Sequence, residues 1–253
     1  MNEDIKQLLH HWPYEPGTIQ VRRIIANDGT IKIQMRLNLG ILQMESAGRP
    51  DGLRPHGKDS LLEHFEGKLA DYTLRHGVDE GFTMGSRACE QLREEGVQYY
   101  HRYLSNFYLG EYAAVVRDTT RNLRLLDFML KYARHQADRE SLETYRPYML
   151  MMNAQAKAHL ALEEGELDQA LAEVNSGLEK IRNFFGEQEQ PELTSQSDEL
   201  QALLKLREHI VARRPRSRLD VLRERLAQAV QAEQFERAAN LRDEIRRLEA
   251  DHA

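Results

Sequence analysis

Cysteine is almost absent from the chain, with Cys89 as the only one in 253 residues. A single thiol cannot form an internal disulfide, and it cannot supply the paired cysteines of a CxxC zinc or redox site. The sequence also lacks the run of about 18 apolar residues that a membrane helix requires. Its acidic start at Glu3 and Asp4 contains no apolar stretch. We therefore predict a soluble cytoplasmic protein without a signal peptide or a membrane association.

Aromatic residues are also few, and acidic residues outnumber basic ones. Aromatic residues make up 7% of the chain and charged residues 30%, and the formal net charge is −6. Such a composition is typical of a protein built from solvent-exposed helices. A chain of this charge is not a nucleic-acid binder as a whole, so any such contact would require a local basic patch.

Residue patterns typical of catalysis are missing as well. The ten histidines form no HExxH motif and no metal-ligand pair at i, i+4. Cys89 is interpreted as a core thiol, with a reactive nucleophile as the alternative. His101 lies in an aromatic run from Tyr99 to Tyr103, which we interpret as packing between helices rather than a base-stacking platform. We expect no enzymatic activity, no cofactor and no metal.

The first 58 residues predict a β-hairpin module followed by a loop. A short helix over the first eleven residues ends before Trp12-Pro13, because the residue before proline is disfavoured in a helix. A first strand leads to the turn Asn27-Asp28-Gly29, and residues 31–41 then alternate between apolar and polar side chains. This alternation predicts a second strand with one apolar face. Since a lone hairpin is marginal in water, that face must cover the helices or a second copy.

The loop over residues 46–58 contains three glycines and two prolines, which favours an ordered connector. Arg49 and Arg54 leave an anion site as the alternative. No known phosphate-binding motif surrounds them.

Apolar residues at helical spacing predict a helical body over residues 59–185. Asp59 or Ser60 caps its first helix. Two breaks, at Gly110-Glu111-Tyr112 and at Gly165-Glu166-Leu167, each separate a pair of helices. This pattern resembles the tetratricopeptide helical hairpin, although the copies lie 55 residues apart rather than about 34. Such hairpins build peptide-binding grooves or serve as scaffold, and the sequence leaves both open.

Residues 186–215 predict a polar linker and a connecting helix that begins near Glu199 and ends before Pro215. Four arginines surround this proline, and we interpret them as a solvated boundary. The alternative is that this cluster, together with exposed arginines of the C-terminal hairpin, contacts a nucleic-acid backbone, and this binding would be weak and strongly salt-dependent. The four are Arg213, Arg214, Arg216 and Arg218.

Residues 216–253 predict a helical hairpin. One face of the first helix carries Leu219, Leu222, Leu226, Ala229 and Val230, and one face of the second carries Phe235, Ala238, Leu241, Ile245 and Leu248. A connection as short as residues 231–234 requires the two helices to be antiparallel. We expect Phe235 to fold over the turn and the pair Ala238-Ala239 to allow close helix packing. So small a unit favours a partner.

The core Phe235-Glu236-x-Ala238-Ala239-x-Leu241-Arg242-Asp243 resembles the UVR motif. This motif occurs in the excision-repair helicase UvrB, in the nuclease UvrC, and in ClpC-type protease chaperones and their McsA-type partners. The resemblance implies a bacterial protein whose hairpin pairs with another hairpin, with Arg242 and Asp243 orienting the pairing. The implied contact residues are Leu222, Leu226, Phe235, Ala238, Ala239, Leu241, Ile245 and Leu248.

The resemblance covers only residues 216–251, and the rest of the chain departs from these proteins. It contains no Walker A loop, no CxxC zinc site and no clustered carboxylates at nuclease spacing. We therefore predict a mainly α adaptor: an N-terminal β-hairpin packed on a tetratricopeptide-like body, followed by the UVR hairpin. The expected partner is an excision-repair component, a stress-protease component or a second copy. The alternative is a hairpin that packs internally.

Overall fold

The computed structural model describes residues 4–187, 196–213 and 218–251. Residues 188–195 of the predicted linker and residues 214–217, which include Pro215, lie outside these ranges. The chain divides into two compact units, Met1–Glu208 and His209–Ala253. The first unit combines the N-terminal strands with the helical body, and the second contains the predicted hairpin.

The described part of the chain is mainly helical, as predicted. In chain order its helices are α1 (Lys6–His11), α2 (Leu61–His76), α3 (Ser86–Tyr108), α4 (Tyr112–Tyr132), α5 (Gln136–Glu140), α6 (Arg146–Glu163), α7 (Leu167–Glu187), α8 (Asp198–Arg213), α9 (Arg218–Gln231) and α10 (Phe235–Asp251). Short 3-10 turns occur at Pro55–Gly57 and Glu143–Tyr145. None of the described helices combines the length and the apolar composition that crossing a membrane requires.

The N-terminal sheet has three antiparallel strands in the order β1 (Val21–Ile25), β2 (Ile31–Leu37) and β3 (Gly40–Glu45). The prediction of a single strand over residues 31–41 was therefore wrong. Residues 38 and 39 form a two-residue turn that pairs Leu37 with Gly40. Because the apolar alternation continues through this turn, the period alone could not reveal it.

The prediction of one apolar face on the sheet was also wrong. The four successive β2 residues 33–36 are all buried. The Nε of Arg36 donates to the carbonyl of Trp12 at 2.7 Å, and its Nη1 donates to the carbonyl of Gly40 at 3.0 Å. The guanidinium of Arg22 lies over the Trp12 ring, 4.1 Å from its centroid. The segment before β1 therefore covers the polar side of the sheet.

The helical body is built from two consecutive pairs, α3 with α4 and α6 with α7, and α4 also packs against α6. A buried apolar cluster joins α2, α3 and α4 and contains Cys89, as predicted for a core thiol. The first helix of this cluster, α2, begins at its Ser60 cap, whose Oγ accepts from the Glu63 amide at 3.1 Å. The likeness to tetratricopeptide hairpins stays a prediction.

The loop over residues 46–58 uses both of its arginines within the chain. Arg49 pairs with Asp51 at 3.2 Å and with the buried carboxylate of Glu95 at 3.3 Å, and Arg54 pairs with Asp59 at 2.7 Å. These contacts favour the ordered connector over the anion site, because carboxylates already occupy the positions that an anion would take.

The aromatic run on α3 packs between helices, as interpreted, with Tyr99 and Tyr103 buried. The sequence did not indicate the role of Arg102 between them. Its Nη1 donates to the carbonyl of Glu45 at 3.1 Å and of Gly48 at 2.8 Å. Arg102 thus ties the end of the sheet to the helical body.

Candidate protein-interaction surface

Helices α9 and α10 pack against each other as the predicted hairpin. Its interior is formed by side chains from both helices that are less than one-tenth exposed: Leu222, Ala229, Ala238 and Ile245. Three of the predicted contact residues, Leu222, Ala238 and Ile245, therefore hold the hairpin together.

The turn of this hairpin has the same backbone hydrogen bonds as the turns between α3 and α4 and between α6 and α7. In each turn, one amide donates to the carbonyl three residues earlier, and the next amide donates to the carbonyl five residues earlier. The bonds are Gly110 to Phe107 (3.2 Å) and Glu111 to Asn106 (2.9 Å), Gly165 to Leu162 (3.2 Å) and Glu166 to Ala161 (2.8 Å), and Glu233 to Val230 (3.1 Å) and Gln234 to Ala229 (2.8 Å). Glu233 therefore occupies the position that glycine occupies in the other two turns.

The equivalence extends to the first residue of the following helix, which is Tyr112, Leu167 or Phe235. Tyr112 stacks on His159, with 4.5 Å between the ring centroids, and Leu167 is half-buried. Phe235 is 70% exposed, so it does not fold over the turn and that expectation was wrong. Neither helix of the hairpin covers this ring, whereas His159 on α6 covers Tyr112.

Two further expectations about the hairpin were wrong. Val230 is 54% exposed rather than part of the buried face, since it lies one residue beyond Ala229 and so points about 100° away. Ala239 is exposed while Ala238 is buried, so Ala238 alone allows the close approach of the helices.

The remaining predicted contact residues lie at the edge of the hairpin or on its surface. Leu226, Leu241 and Leu248 are half-buried. Arg242 and Asp243 are exposed neighbours, with 3.8 Å between Nε and Oδ1. The hairpin thus presents a partly covered leucine stripe and an exposed aromatic ring at one end.

The sequence of this unit was compared with known families. Residues 216–251 match the family described as the UvrB/uvrC motif. The chain carries a UVR motif. The match spans about a seventh of the chain, so it identifies this unit and not the helical body. Comparisons with curated proteins and with solved structures found no match.

The basic cluster lies just before the UVR hairpin and falls largely outside the described residues. Arg213 is the exposed last residue of α8, and Arg218 begins α9 without a described side chain. Arg214 and Arg216 lie outside the described residues. Its suggested role in nucleic-acid contact stays a prediction.

Other candidate groups for chemistry lie in the first unit, where Cys89 is buried and His101 is half-buried. Cys89 is fully buried, and burial raises the pKa of its thiol. Burial lowers the pKa of His101. Within the described residues, no group of three or more His, Cys, Asp or Glu side chains could hold a metal ion.

The sequence signal missed two features of the UVR hairpin. The exposed ring of Phe235 and the exposed side chain of Val230 share the turn end of the hairpin, yet both were assigned to the buried faces. The one sequence feature at this end is the polar segment over residues 231–234, where the apolar spacing of the first helix stops and that of the second helix begins.

Proposed function

We propose that this protein is a non-enzymatic adaptor whose UVR hairpin binds another protein. The observation that carries the proposal is the exposure of Phe235, which is 70% accessible at the start of α10. A bound partner would remove this ring from water. Fully burying a phenylalanine side chain contributes about 1.5–3 kcal/mol, which makes Phe235 a candidate hot spot for the interface.

The equivalent turn between α3 and α4 supports this role. There, the residue that opens the second helix is covered by a neighbouring helix, because His159 on α6 stacks on Tyr112. A helical hairpin from a partner would cover Phe235 in the same way. The half-buried leucines Leu226, Leu241 and Leu248 would extend that contact, and Arg242 and Asp243 would form its polar rim.

The partner is a protein with a similar hairpin: a second copy of this chain, or a component of excision repair or of a stress-protease system. The adaptor role without catalysis is supported by the burial of Cys89, since a thiol that is enclosed and held protonated is a poor nucleophile.

The experiment is a comparison of the full chain with Phe235→Asp and with Leu39→Asp. Leu39 is 86% exposed in the turn between β2 and β3, so its substitution removes an exposed apolar side chain outside the hairpin. Self-association is measured by sedimentation velocity over the micromolar range, and partner capture from a nuclease-treated bacterial lysate by quantitative mass spectrometry. Circular dichroism checks that each variant is folded.

The proposal predicts that Phe235→Asp loses the dimer or the captured partner, and that Leu39→Asp retains it. An unchanged assembly in Phe235→Asp would show that the hairpin is internal architecture. If a partner is captured only from lysate without nuclease treatment and a labelled duplex binds at low salt, the nucleic-acid alternative through the arginines around Pro215 replaces the adaptor.

A further inference from the structure

The first unit contains a cleft that the UVR hairpin does not explain. It consists of two adjoining cavities of about 670 and 800 Å³, whose walls share Thr144 and Glu199. Each cavity is the size of a pocket for a small organic ligand. Together the two adjoining cavities offer more room than a single small-ligand pocket.

The first cavity is lined by four tyrosines, Tyr100, Tyr103, Tyr145 and Tyr148. The ring of Tyr100 lies 5.5 Å from that of Tyr103 and 6.2 Å from that of Tyr148, measured between centroids. Tyr145 is 56% exposed at the wall. Aromatic faces of this kind attract guanidinium and ammonium groups.

The second cavity is lined by five carboxylates and two cations. The residues are Asp127, Glu140, Glu143, Glu187 and Glu199, with Arg146 and Lys180. Arg146 is already bound by Glu143 at 2.6 and 2.8 Å and by Asp127 at 2.8 Å. The remaining carboxylates outnumber the single lysine, so this wall favours a positively charged ligand.

The cations of the first cavity do not oppose such a ligand. Arg93 donates to Asp138 at 3.0 Å. Burial lowers the pKa of His101 from its ordinary value of 6.5, so this ring is neutral near pH 7. The tyrosine wall therefore has no unpaired positive charge among its described residues.

Glu199 lies where the two cavities meet. Its Oε2 accepts a hydrogen bond from the Ser197 hydroxyl at 2.7 Å, which leaves its negative charge uncompensated by that contact. Its carboxylate is close enough to Tyr148 to contribute, after burial and the rings of Tyr100 and Tyr108, to raising the pKa of Tyr148 to about 12. A carboxylate beside two aromatic faces can pair with a cation and stack it at once.

We propose that this cleft binds an extended basic segment of a partner protein, with an arginine or lysine side chain held between Glu199 and the rings of Tyr100 and Tyr148. The charge of the walls determines the sign of the ligand. Each of the two adjoining cavities is already the size of a small-ligand pocket, so their combined volume favours a peptide over a compact small molecule. The site is separate from the UVR hairpin and does not depend on the adaptor proposal.

The test begins with the labelled full chain on an array of octapeptides of randomised sequence. Captured peptides are expected to be enriched in arginine or lysine and depleted in aspartate and glutamate. The best peptide is then titrated by fluorescence anisotropy beside a version with citrulline in place of arginine or acetyl-lysine in place of lysine. The uncharged version is expected to bind at least about tenfold more weakly, as expected for a lost charge-assisted hydrogen bond.

Variants assign the peptide to the cleft. Glu199→Gln is expected to weaken binding about tenfold. Glu164→Gln makes the same change at an exposed residue outside both cavities, and Phe235→Asp alters only the UVR hairpin; both are expected to bind as the parent chain does. An array without basic enrichment overturns the proposal, and so does equal binding by Glu199→Gln with its thermal melting unchanged.

Discussion

Arg102 and Asp118 form a two-point ion pair between α3 and α4 in which both side chains are 1% exposed. The Nε donates to Oδ2 at 2.7 Å and the Nη2 donates to Oδ1 at 2.8 Å. Arg117 also donates to Asp118, with its Nε at 2.9 Å from Oδ1. Both partners lie in the interior, so the loss of Asp118 would leave the guanidinium of Arg102 buried without a carboxylate.

Replacing Asp118 with alanine is expected to lower the free energy of unfolding by about 3–5 kcal/mol, because Arg102 would remain buried and uncompensated. Urea denaturation followed by circular dichroism measures this. The control is Arg54→Ala, which breaks the exposed pair with Asp59 and should cost less than about 1 kcal/mol. Equal effects of the two substitutions would contradict the assignment of a structural role to the buried pair.

Gly177→Ala is expected to destabilise the first unit. A Cβ at Gly177 would lie 2.5 Å from the Cβ of Ala154 on α6 and 3.1 Å from Leu203 Cδ1 on α8. Overpacking of this kind costs about 1–3 kcal/mol. Gly67→Ala is the matched control. Apart from the neighbouring backbone of its own helix, no described atom lies within 4 Å of its Cβ position, so the higher helix propensity of alanine should stabilise α2 by about 1 kcal/mol. The melting temperature should therefore fall in Gly177→Ala and rise in Gly67→Ala.

Glu233→Gly is expected to stabilise the UVR hairpin by about 1 kcal/mol, because Glu233 has a φ of 55° that disfavours a residue with a Cβ. Amide hydrogen exchange of Ala229 and Ala238 measures the local opening of the hairpin, and their exchange should slow. Gly165→Ala makes the opposite change, since Gly165 has a φ of 80° in the equivalent turn. In Gly165→Ala, amide exchange in α6 and α7 should accelerate. Faster exchange of Ala229 and Ala238 in Glu233→Gly would refute the equivalence of the turns.

The ionised carboxylate of Asp138 should stabilise the fold near neutral pH and lose this effect in acid. Hydrogen bonds from Ser86 and then Arg93 hold the pKa of its carboxyl below the ordinary value of 3.8. Because the pKa is lower in the folded state, the stabilisation is complete above 3.8 and is lost as the pH falls through the lowered value. Urea denaturation across that range should show a steeper acid loss in the parent chain than in Asp138→Asn. Parallel pH profiles of the two would argue against this contribution.

The ends of the helices could be predicted because local chemistry determines them. Ser60 caps α2, and Gly77, Gly110 and Gly165 occupy the left-handed positions where helices end. Strand β3 could not be predicted in this way, since Asn38 and Leu39 continue the alternation of the strand through the turn. Period-2 patterning indicates which residues share a face but not where the chain reverses.

The candidate surface was predicted as a pattern of residues and not as an exposed patch. The UVR motif and helical spacing identified Leu222, Ala238 and Ile245, which are the interior of the hairpin. Which apolar side chains face water depends on neighbours that helical spacing does not specify, so Phe235 was assigned to the wrong side. The pairing of Arg102 with Asp118 was missed for the same reason, because the two partners lie on different helices.

The bond from Arg102 to the carbonyl of Glu45 joins residues 57 positions apart in the chain, whereas the buried residues of the UVR hairpin, Leu222 to Ile245, lie at most 23 positions apart. Folding rates fall as contacts become more distant along the chain. We expect the two units to acquire structure at different speeds after dilution from denaturant. The hairpin would form early, and the first unit would form later, when its sheet packs against α3.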